Sequence, residues 1–245
     1  MRLLAKMSWL EMKLFMREPL TVLFALALPL TILFVMGGVF GNEASVEVYR
    51  GIGAMDYYVP AYVALVTASV GLISLPTHLA TNRELGVLKR YRASGMATGA
   101  VVASQVMVTF AIATISSVVL VAVAIPAYDA TSPDSLVMVL VGFVLVGLSF
   151  SAIGILLGAV LPSSRAAQAL GVLLWFVFLI VGGAGPPPEV LSGAMGTIGD
   201  LTPLRFAILV MQDGWLNLDP GNAWWMVALF GAVSASAAVR FFRWE

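Results

Sequence analysis

The sequence contains no cysteine, only one histidine (His78), and few charged residues, which make up 11% of the chain. The absence of cysteine excludes disulfide bonds and thiolate metal sites, and a single histidine cannot form a histidine-based metal cluster. Soluble domains carry roughly 25% charged residues, so a soluble fold is excluded as well. Because the formal net charge is zero, no overall field favours nucleic acid as a partner.

What the chain has instead is apolar surface, with 60% hydrophobic residues and a mean hydropathy of +0.99. Lipid is the solvent that suits this composition, and a helix of about 20 apolar residues crosses a bilayer. Six stretches of that kind lie at 20–40, 57–79, 98–125, 134–160, 167–184 and 222–240. We therefore predict an all-α integral membrane protein in which residues 1–245 form one domain with six transmembrane helices.

Charged residues are sorted between the two ends of these predicted spans. Eleven of the 13 basic residues lie on the side of the chain termini: Arg2, Lys6, Lys13, Arg17, Arg83, Lys89, Arg90, Arg92, Arg165, Arg240 and Arg243. The opposite side holds most of the acids: Glu43, Glu47, Asp56, Asp129, Asp134, Glu189, Asp200, Asp213 and Asp219. Basic loops stay in the cytoplasm, so we predict a multi-pass protein of the cell (plasma) membrane with both termini cytoplasmic.

The N-terminal segment, residues 1–19, has the pattern of an interfacial helix. On a helix its four basic residues fall in one stripe, and Leu3, Met7, Leu10 and Leu14 fall in the stripe beside it. A cationic strip next to an apolar one is typical of a helix that lies in the headgroup plane. The alternative is a basic flank that only sets topology.

Residues 80–96 form the one predicted intracellular connection that is dense in charge. Leu85 and Leu88 are spaced three apart, which predicts a short helix with an apolar edge and a basic side at the cytoplasmic surface. A solvated loop that carries topogenic charge explains the same residues equally well on physical grounds. We call residues 80–96 the coupling segment, for the reason given next.

The run from Arg83 to Gly95, RELGVLKRYRASG, resembles the Arg-Glu-x-Gly-Thr-Leu-x-Arg motif of the type-2 ABC exporter permeases, the family of daunorubicin-type drug export permeases. Val87 replaces the usual threonine of the motif, and Ser94-Gly95 replaces a Thr-Pro pair. The resemblance extends over the chain, because the basic N-terminal helix, the six spans and the motif occur in the family's order. Residues 185–191 and 201–206 also resemble the family's segment before the last span.

The resemblance implies a division of labour between two proteins. The permease pairs with a separate ABC ATPase subunit, and the coupling segment rests in a groove of that subunit. Carried over by motif position, the ATPase-coupling residues are Arg83, Glu84, Gly86, Leu88 and Arg90. The sequence has no Gly-x-x-x-x-Gly-Lys-Ser/Thr phosphate loop, so we expect no catalytic residue, no metal and no cofactor in this chain, with ATP bound by the partner subunit.

Further expectations follow from the same resemblance. Residues 185–215 form a re-entrant segment in the outer leaflet, and a second copy or a homologue completes a dimer whose first and fifth spans line the cargo path. Candidate pathway residues are Phe24, Leu28, Phe34, Trp175, Phe176 and Phe178. Two small-residue patterns, at 154–158 and 167–171, are typical of close helix packing, and packing inside one subunit is favoured over a dimer contact.

The cargo is open to several interpretations. No Asp, Glu, Lys or Arg lies in the central turns of the spans, which argues against a secondary transporter or a channel, since these need ionisable sites near the midplane. An apolar interior suits hydrophobic or amphipathic small molecules of the drug or antibiotic type. Export of lipid or of a cell-envelope polymer is the alternative within the family, and a membrane scaffold without cargo remains compatible with the sequence.

Overall fold

In a computed structural model of the chain, the described residues are 23–93, 95 and 98–241. The predicted interfacial helix at 1–19 lies outside them. The helices of the described part are α1 (Leu23–Phe40), α2 (Val46–Tyr49), α3 (Ala54–Glu84), α4 (Val87–Ala93), α5 (Thr98–Tyr128), α6 (Leu136–Val160), α7 (Ser164–Val181), α8 (Ala194–Gly199), α9 (Pro203–Leu216) and α10 (Ala223–Phe241). The segments Leu23–Ala27 of α1 and Val70–Ser74 of α3 are π-helical.

Six of these helices, α1, α3, α5, α6, α7 and α10, are long and apolar enough to cross a membrane. This confirms the predicted all-α membrane fold with six spans. The only strands in the described residues are two short ones, β1 (Ala44–Ser45) and β2 (Ile52–Gly53), which pair antiparallel with Ala44 opposite Gly53. They form part of the loop between α1 and α3.

Helix α3 differs from its prediction, because it continues to Glu84 rather than ending near residue 79. Residues 80–84 of the coupling segment therefore continue the helix of the second predicted span. The Thr77 and Thr81 hydroxyls donate hydrogen bonds to the carbonyls of Ile73 and Thr77, at 2.6 and 2.8 Å. These polar side chains are satisfied within the helix, so hydropathy alone marks its end too early.

Helix α3 lies at the centre of the bundle. All residues in the apolar stretch of α3 are buried, whereas 22% and 17% of the residues are buried in the corresponding stretches of α7 and α10. Helices α1, α5, α6 and α7 pack around α3, α9 packs against its first part, and α10 packs against α6 and α9. The apolar side chains left exposed on the outer helices suit contact with lipid, since the bilayer core is as apolar as they are.

The glycines of the two small-residue patterns bring neighbouring helices close to α3. A Cβ atom on Gly154 would meet the carbonyl oxygen of Gly71, and one on Gly171 would meet the carbonyl oxygen of Leu72. A Cβ on Gly158 would lie 2.9 Å from Cδ2 of Leu79. These glycines pack against α3 of the same chain, as the prediction of packing inside one subunit requires.

We predict that Gly154→Ala lowers the thermal unfolding midpoint of the purified protein, because the added methyl group meets backbone and overpacking costs about 1–3 kcal/mol. The matched control is Gly38→Ala, where a Cβ has nothing within 4 Å. Removing an unneeded helical glycine there stabilises by roughly 0.5–1 kcal/mol. Equal midpoints for the two variants would contradict the close approach of α6 to α3.

The segment before the last span forms two short helices, α8 and α9. Helix α9 begins beside the end of α7, where a Cβ on Gly182 would lie 3.3 Å from Cβ of Leu204. It ends beside the start of α6, where the Ser135 N–H donates to the Gly214 carbonyl at 3.0 Å. Both ends of α9 therefore lie at one end of the bundle, so α9 does not cross. Entry of this segment into the membrane stays a prediction.

Candidate coupling site at the basic face

The basic face is the end of the bundle at which α3 ends, α4 lies and the turn 161–163 joins α6 to α7. The chain reverses here at Gly86, whose φ is +69°. The Leu85 and Gly86 N–H groups donate to the carbonyls of Thr81 and Arg83, at 2.9 and 3.0 Å. Left-handed backbone after the end of a helix favours glycine, so Gly86 shapes the turn from α3 into α4.

Helix α4 is held to the bundle by Leu88. This side chain is 1% exposed and lies in a small core with Leu79 and Val101. Leu85, in the turn, is 66% exposed. The predicted apolar edge of Leu85 and Leu88 is therefore wrong, because the turn at 85–86 separates the two residues.

Arg83 contacts the end of α6. Its Nη1 donates to the carbonyls of Gly158 and Ala159 at 3.1 and 3.0 Å, and its Nη2 donates to the carbonyl of Leu161. The last four carbonyls of a helix have no partner within it, and a cation there complements the helix dipole. Arg83 therefore caps the C-terminus of α6.

Glu84 contacts the start of α7, on the other side of the same turn. Its Oε1 accepts a hydrogen bond from the Ser164 N–H at 3.0 Å, and its Oε2 accepts one from the Ser164 hydroxyl at 2.7 Å. Ser163 is the N-cap of this helix, with its hydroxyl accepting from the Ala166 N–H at 3.2 Å. A carboxylate at a helix N-terminus complements the positive end of the dipole.

Arg83 and Glu84 together hold both helices that meet at the turn 161–163. We call this set of contacts the Arg83–Glu84 clamp. The five residues assigned by motif thus have distinct positions: Arg83 and Glu84 bind the turn, Gly86 shapes the backbone and Leu88 is buried. Arg90 is exposed on α4, next to the exposed Lys89.

Three of the candidate pathway residues form one aromatic cluster. Phe24 of α1 meets Trp175 of α7 edge-on, with ring centroids 5.0 Å apart, and Trp175 meets Phe176 at 5.0 Å. Trp175 is fully buried, whereas Phe176 is 43% exposed. We call Phe24, Trp175 and Phe176 the aromatic cluster.

The other candidate pathway residues do not join this cluster as ring contacts. Leu28 and Phe178 are half-buried and pack against the main core. Phe34 is 49% exposed and lies beside Tyr128 of α5, with ring centroids 6.3 Å apart. The structure therefore brings Phe24, Trp175 and Phe176 together and places Phe34 elsewhere.

Comparison with known proteins identifies the family of this chain. The family model described as "ABC-2 type transporter" matches residues 2–215. The chain belongs to the ABC-2 type transporter family. It is also similar to two curated proteins, each named "Probable multidrug ABC transporter permease YbhR", from Escherichia coli K12 and Escherichia coli O157:H7. Both are 24% identical over 192 residues, which is 76% of this chain and 52% of the relative. The chain thus spans about half the length of the curated relatives it matches.

In this ABC-2 family chain, helix α7 connects the clamp to the aromatic cluster. Ser164 is its first residue and Trp175 follows eleven residues later, about 16 Å along the axis at 1.5 Å per residue. The helix has no proline between these positions, so nothing in its sequence breaks it. The turn 161–163 and the aromatic cluster are therefore joined by one unbroken helix.

The opposite end of α7 is held as well, by contacts that the sequence did not predict. After α7 the chain is bound to the start of α3, where the Tyr58 hydroxyl donates to the Gly185 carbonyl at 2.8 Å. Arg50 Nε lies 2.6 Å from Glu189 Oε1. Burial raises the pKa of the neighbouring Tyr49 hydroxyl, so it stays protonated. We call the Tyr58–Gly185 and Arg50–Glu189 contacts the outer tether.

The sequence indicates one part of the clamp, the turn at 161–163. Leu161-Pro162-Ser163-Ser164 reads as a helix end followed by two N-cap residue types. That pattern locates a turn, but it does not say which charged residues reach it. Only the fold brings Arg83 and Glu84 to a turn that lies about 80 residues further along the chain.

Proposed function

We propose that this chain is the membrane permease subunit of an ATP-driven exporter and that a separate ATPase subunit docks on helix α4. The observation that carries the proposal is the Arg83–Glu84 clamp. It fixes the end of α3, from which the short basic helix α4 follows after a two-residue turn, to the ends of two spans, one of which leads to the aromatic cluster. In this proposal the basic face is cytoplasmic, the chain itself binds no ATP, and the energy comes from the partner.

The proposed docking surface consists of the exposed side chains of α4 and of the turn that precedes it. The buried Leu88 side chain attaches α4 to the bundle, and the neighbouring side chains of Lys89 and Arg90 are exposed. The exposed Leu85 adds an apolar contact point. A basic helix with one apolar side chain suits an acidic groove with an apolar floor, and this is the surface we expect on the ATPase subunit.

Arg83 and Glu84 then act as positioning residues that transmit motion. When the ATPase subunits close, α4 is displaced and the clamp moves the end of α6 and the start of α7 with it. Because α7 is a continuous helix, the displacement reaches Trp175 and Phe176. The outer tether holds the far end of α7, so the helix tilts rather than slides.

We further propose that two copies of this chain, or one copy and a homologue, enclose the cargo path. The aromatic cluster lies on α1 and α7, and Phe34 and Phe176 are partly exposed in the single chain. Exposed aromatic rings in an apolar setting suit a hydrophobic or amphipathic cargo. The word "multidrug" in the relatives' names supports small molecules, and export of lipid or of an envelope polymer is the alternative.

The docking role of α4 predicts that Arg90→Glu prevents the ATPase subunit from co-purifying with the tagged permease. Reversing the charge replaces an attraction with a repulsion at the proposed interface. Association is measured by the ATPase activity recovered with the tagged chain. Arg240→Glu is the matched control, because Arg240 is also exposed and lies in the last turn of α10.

Comparing the two variants shows whether the charge on α4 in particular is needed for the ATPase subunit to bind. We expect Arg240→Glu to retain the ATPase subunit and Arg90→Glu to lose most of it, with both proteins equally abundant in the membrane. Retention of the subunit by both variants would show that α4 is not the docking helix. Loss in both would indicate a general need for positive charge on the basic face.

A further inference from the structure

A groove with a volume of about 810 Å³ lies between α5, α6 and α10. These helices do not carry the aromatic cluster. Every side chain that lines the groove is aliphatic, a glycine or a serine, and none is aromatic or charged. The volume is typical of a small-molecule site, which ranges over about 300–1,000 Å³.

The length of the groove is close to half the thickness of a bilayer core. Its lining runs from Leu145 to Ile155 on α6 and from Val227 to Val239 on α10. At 1.5 Å per residue these stretches are about 15 and 18 Å long, and half of a hydrocarbon core is about 15 Å. The stretch on α5 begins at Gly99, so the groove opens at the basic face.

Two phenylalanines pack beside the groove without lining it. The Phe110 and Phe143 ring centroids are 6.1 Å apart. A Cβ atom on Gly147 would lie 2.6 Å from the Phe110 ring, so this ring fills the space next to α6. Phe110 is the next residue on the same face of α5 after Val102 and Val106, which line the groove. The groove therefore begins at the basic face on α5 and reaches past the middle of α6 and α10.

We propose that this groove binds the acyl chain of an anionic phospholipid from the leaflet at the basic face. A linear aliphatic chain matches a lining without aromatic rings. The headgroup then lies at a face that holds most of the basic residues, with the exposed Arg240 directly after Val239, and anionic headgroups are attracted to such surfaces.

This lipid completes the packing of three helices near the basic face. It lies against α6 up to Ile155, three residues before Gly158, whose carbonyl is bound by Arg83. It does not rest on the proposed export function, because it needs only that the six helices span a bilayer. The expected effect is selective, long-lived contact of one phospholipid with the groove.

The lack of cysteine allows a direct test with single reporters. Ala235→Cys places a bimane label in the groove, and Val233→Cys places one on the opposite side of the same helix, where Val233 is 60% exposed. Each labelled protein is reconstituted in dioleoyl-phosphatidylcholine vesicles. Bimane quenching is recorded as brominated phosphatidylglycerol, or brominated phosphatidylcholine for comparison, replaces the host lipid.

We expect quenching at 235 to saturate at a low fraction of brominated phosphatidylglycerol and to need several-fold more brominated phosphatidylcholine. At 233 the two lipids should quench alike and in proportion to their amount. Proportional quenching at both positions overturns the site. No quenching at 235 also overturns it, because a protein segment or a second copy then fills the groove. Ala232→Cys, also in the groove, replaces 235 if that variant fails to fold.

Discussion

Replacing Glu84 with alanine is expected to reduce cargo transport by a factor within the 5–150-fold range typical of coupling between sites, while the ATPase subunit stays bound. The change removes both oxygens that accept hydrogen bonds from Ser164. Helix α4 keeps its docking surface, because Glu84 is not part of it, but the start of α7 no longer follows α4. Transport into inverted vesicles and ATPase co-purification are measured on the same preparation.

Ser164→Ala provides the matched test from the other side of the clamp. It removes the hydroxyl that donates to Glu84 and leaves the Ser164 backbone N–H in place, so its effect should be smaller than that of Glu84→Ala. The double variant should be no worse than Glu84→Ala alone, because both changes break one contact. Normal transport by Glu84→Ala contradicts the clamp. Loss of ATPase binding would instead make Glu84 a contact residue, as the motif alone predicts.

Replacing Trp175 with alanine is expected to produce the largest loss of stability in the described part of the chain. Trp175 is fully buried between helices and packs edge-on against Phe24 and Phe176. Truncation of a buried aromatic residue costs about 3–5 kcal/mol. The thermal unfolding midpoint of the purified protein should therefore fall steeply, and the yield of folded protein with it.

Phe176→Ala is the control for that experiment, because Phe176 neighbours Trp175 in sequence and in space but is 43% exposed. Its truncation should change the unfolding midpoint far less. If Phe176 lines the cargo path, the variant should alter the relative transport of bulky and small cargoes while the fold is retained. Equal stability losses in the two variants would show that Phe176 is buried by a partner rather than open to cargo.

Most of the fold could be predicted from the sequence, because composition and hydropathy report how the chain meets lipid. The six spans follow from runs of apolar residues and the sorting of charges. The end of α3 could not be placed in this way, since Thr77 and Thr81 satisfy their own hydroxyls within the helix. Local hydrogen bonding of this kind leaves no mark on a hydropathy profile.

The site could be predicted only in part. The motif at 83–95 contains both clamp residues, and the sorting of basic residues predicts the side of the membrane on which it lies. The motif does not show that Arg83 and Glu84 bind the turn 161–163, because that contact joins residues about 80 positions apart. Nor does spacing show that Leu88 points inward and Leu85 outward, since the difference depends on the left-handed turn at Gly86.

The central claim, that helix α4 touches an ATPase subunit, is tested most directly by cross-linking from a single cysteine. The natural chain has none, so Arg90→Cys carries the only reactive thiol for a photoactivatable cross-linker. Asp219→Cys is the control, because Asp219 is exposed at the opposite end of the bundle. We predict a covalent product with an ATP-hydrolysing subunit from position 90 and none from position 219. No product from 90, in membranes where that subunit co-purifies with the permease, would contradict the account.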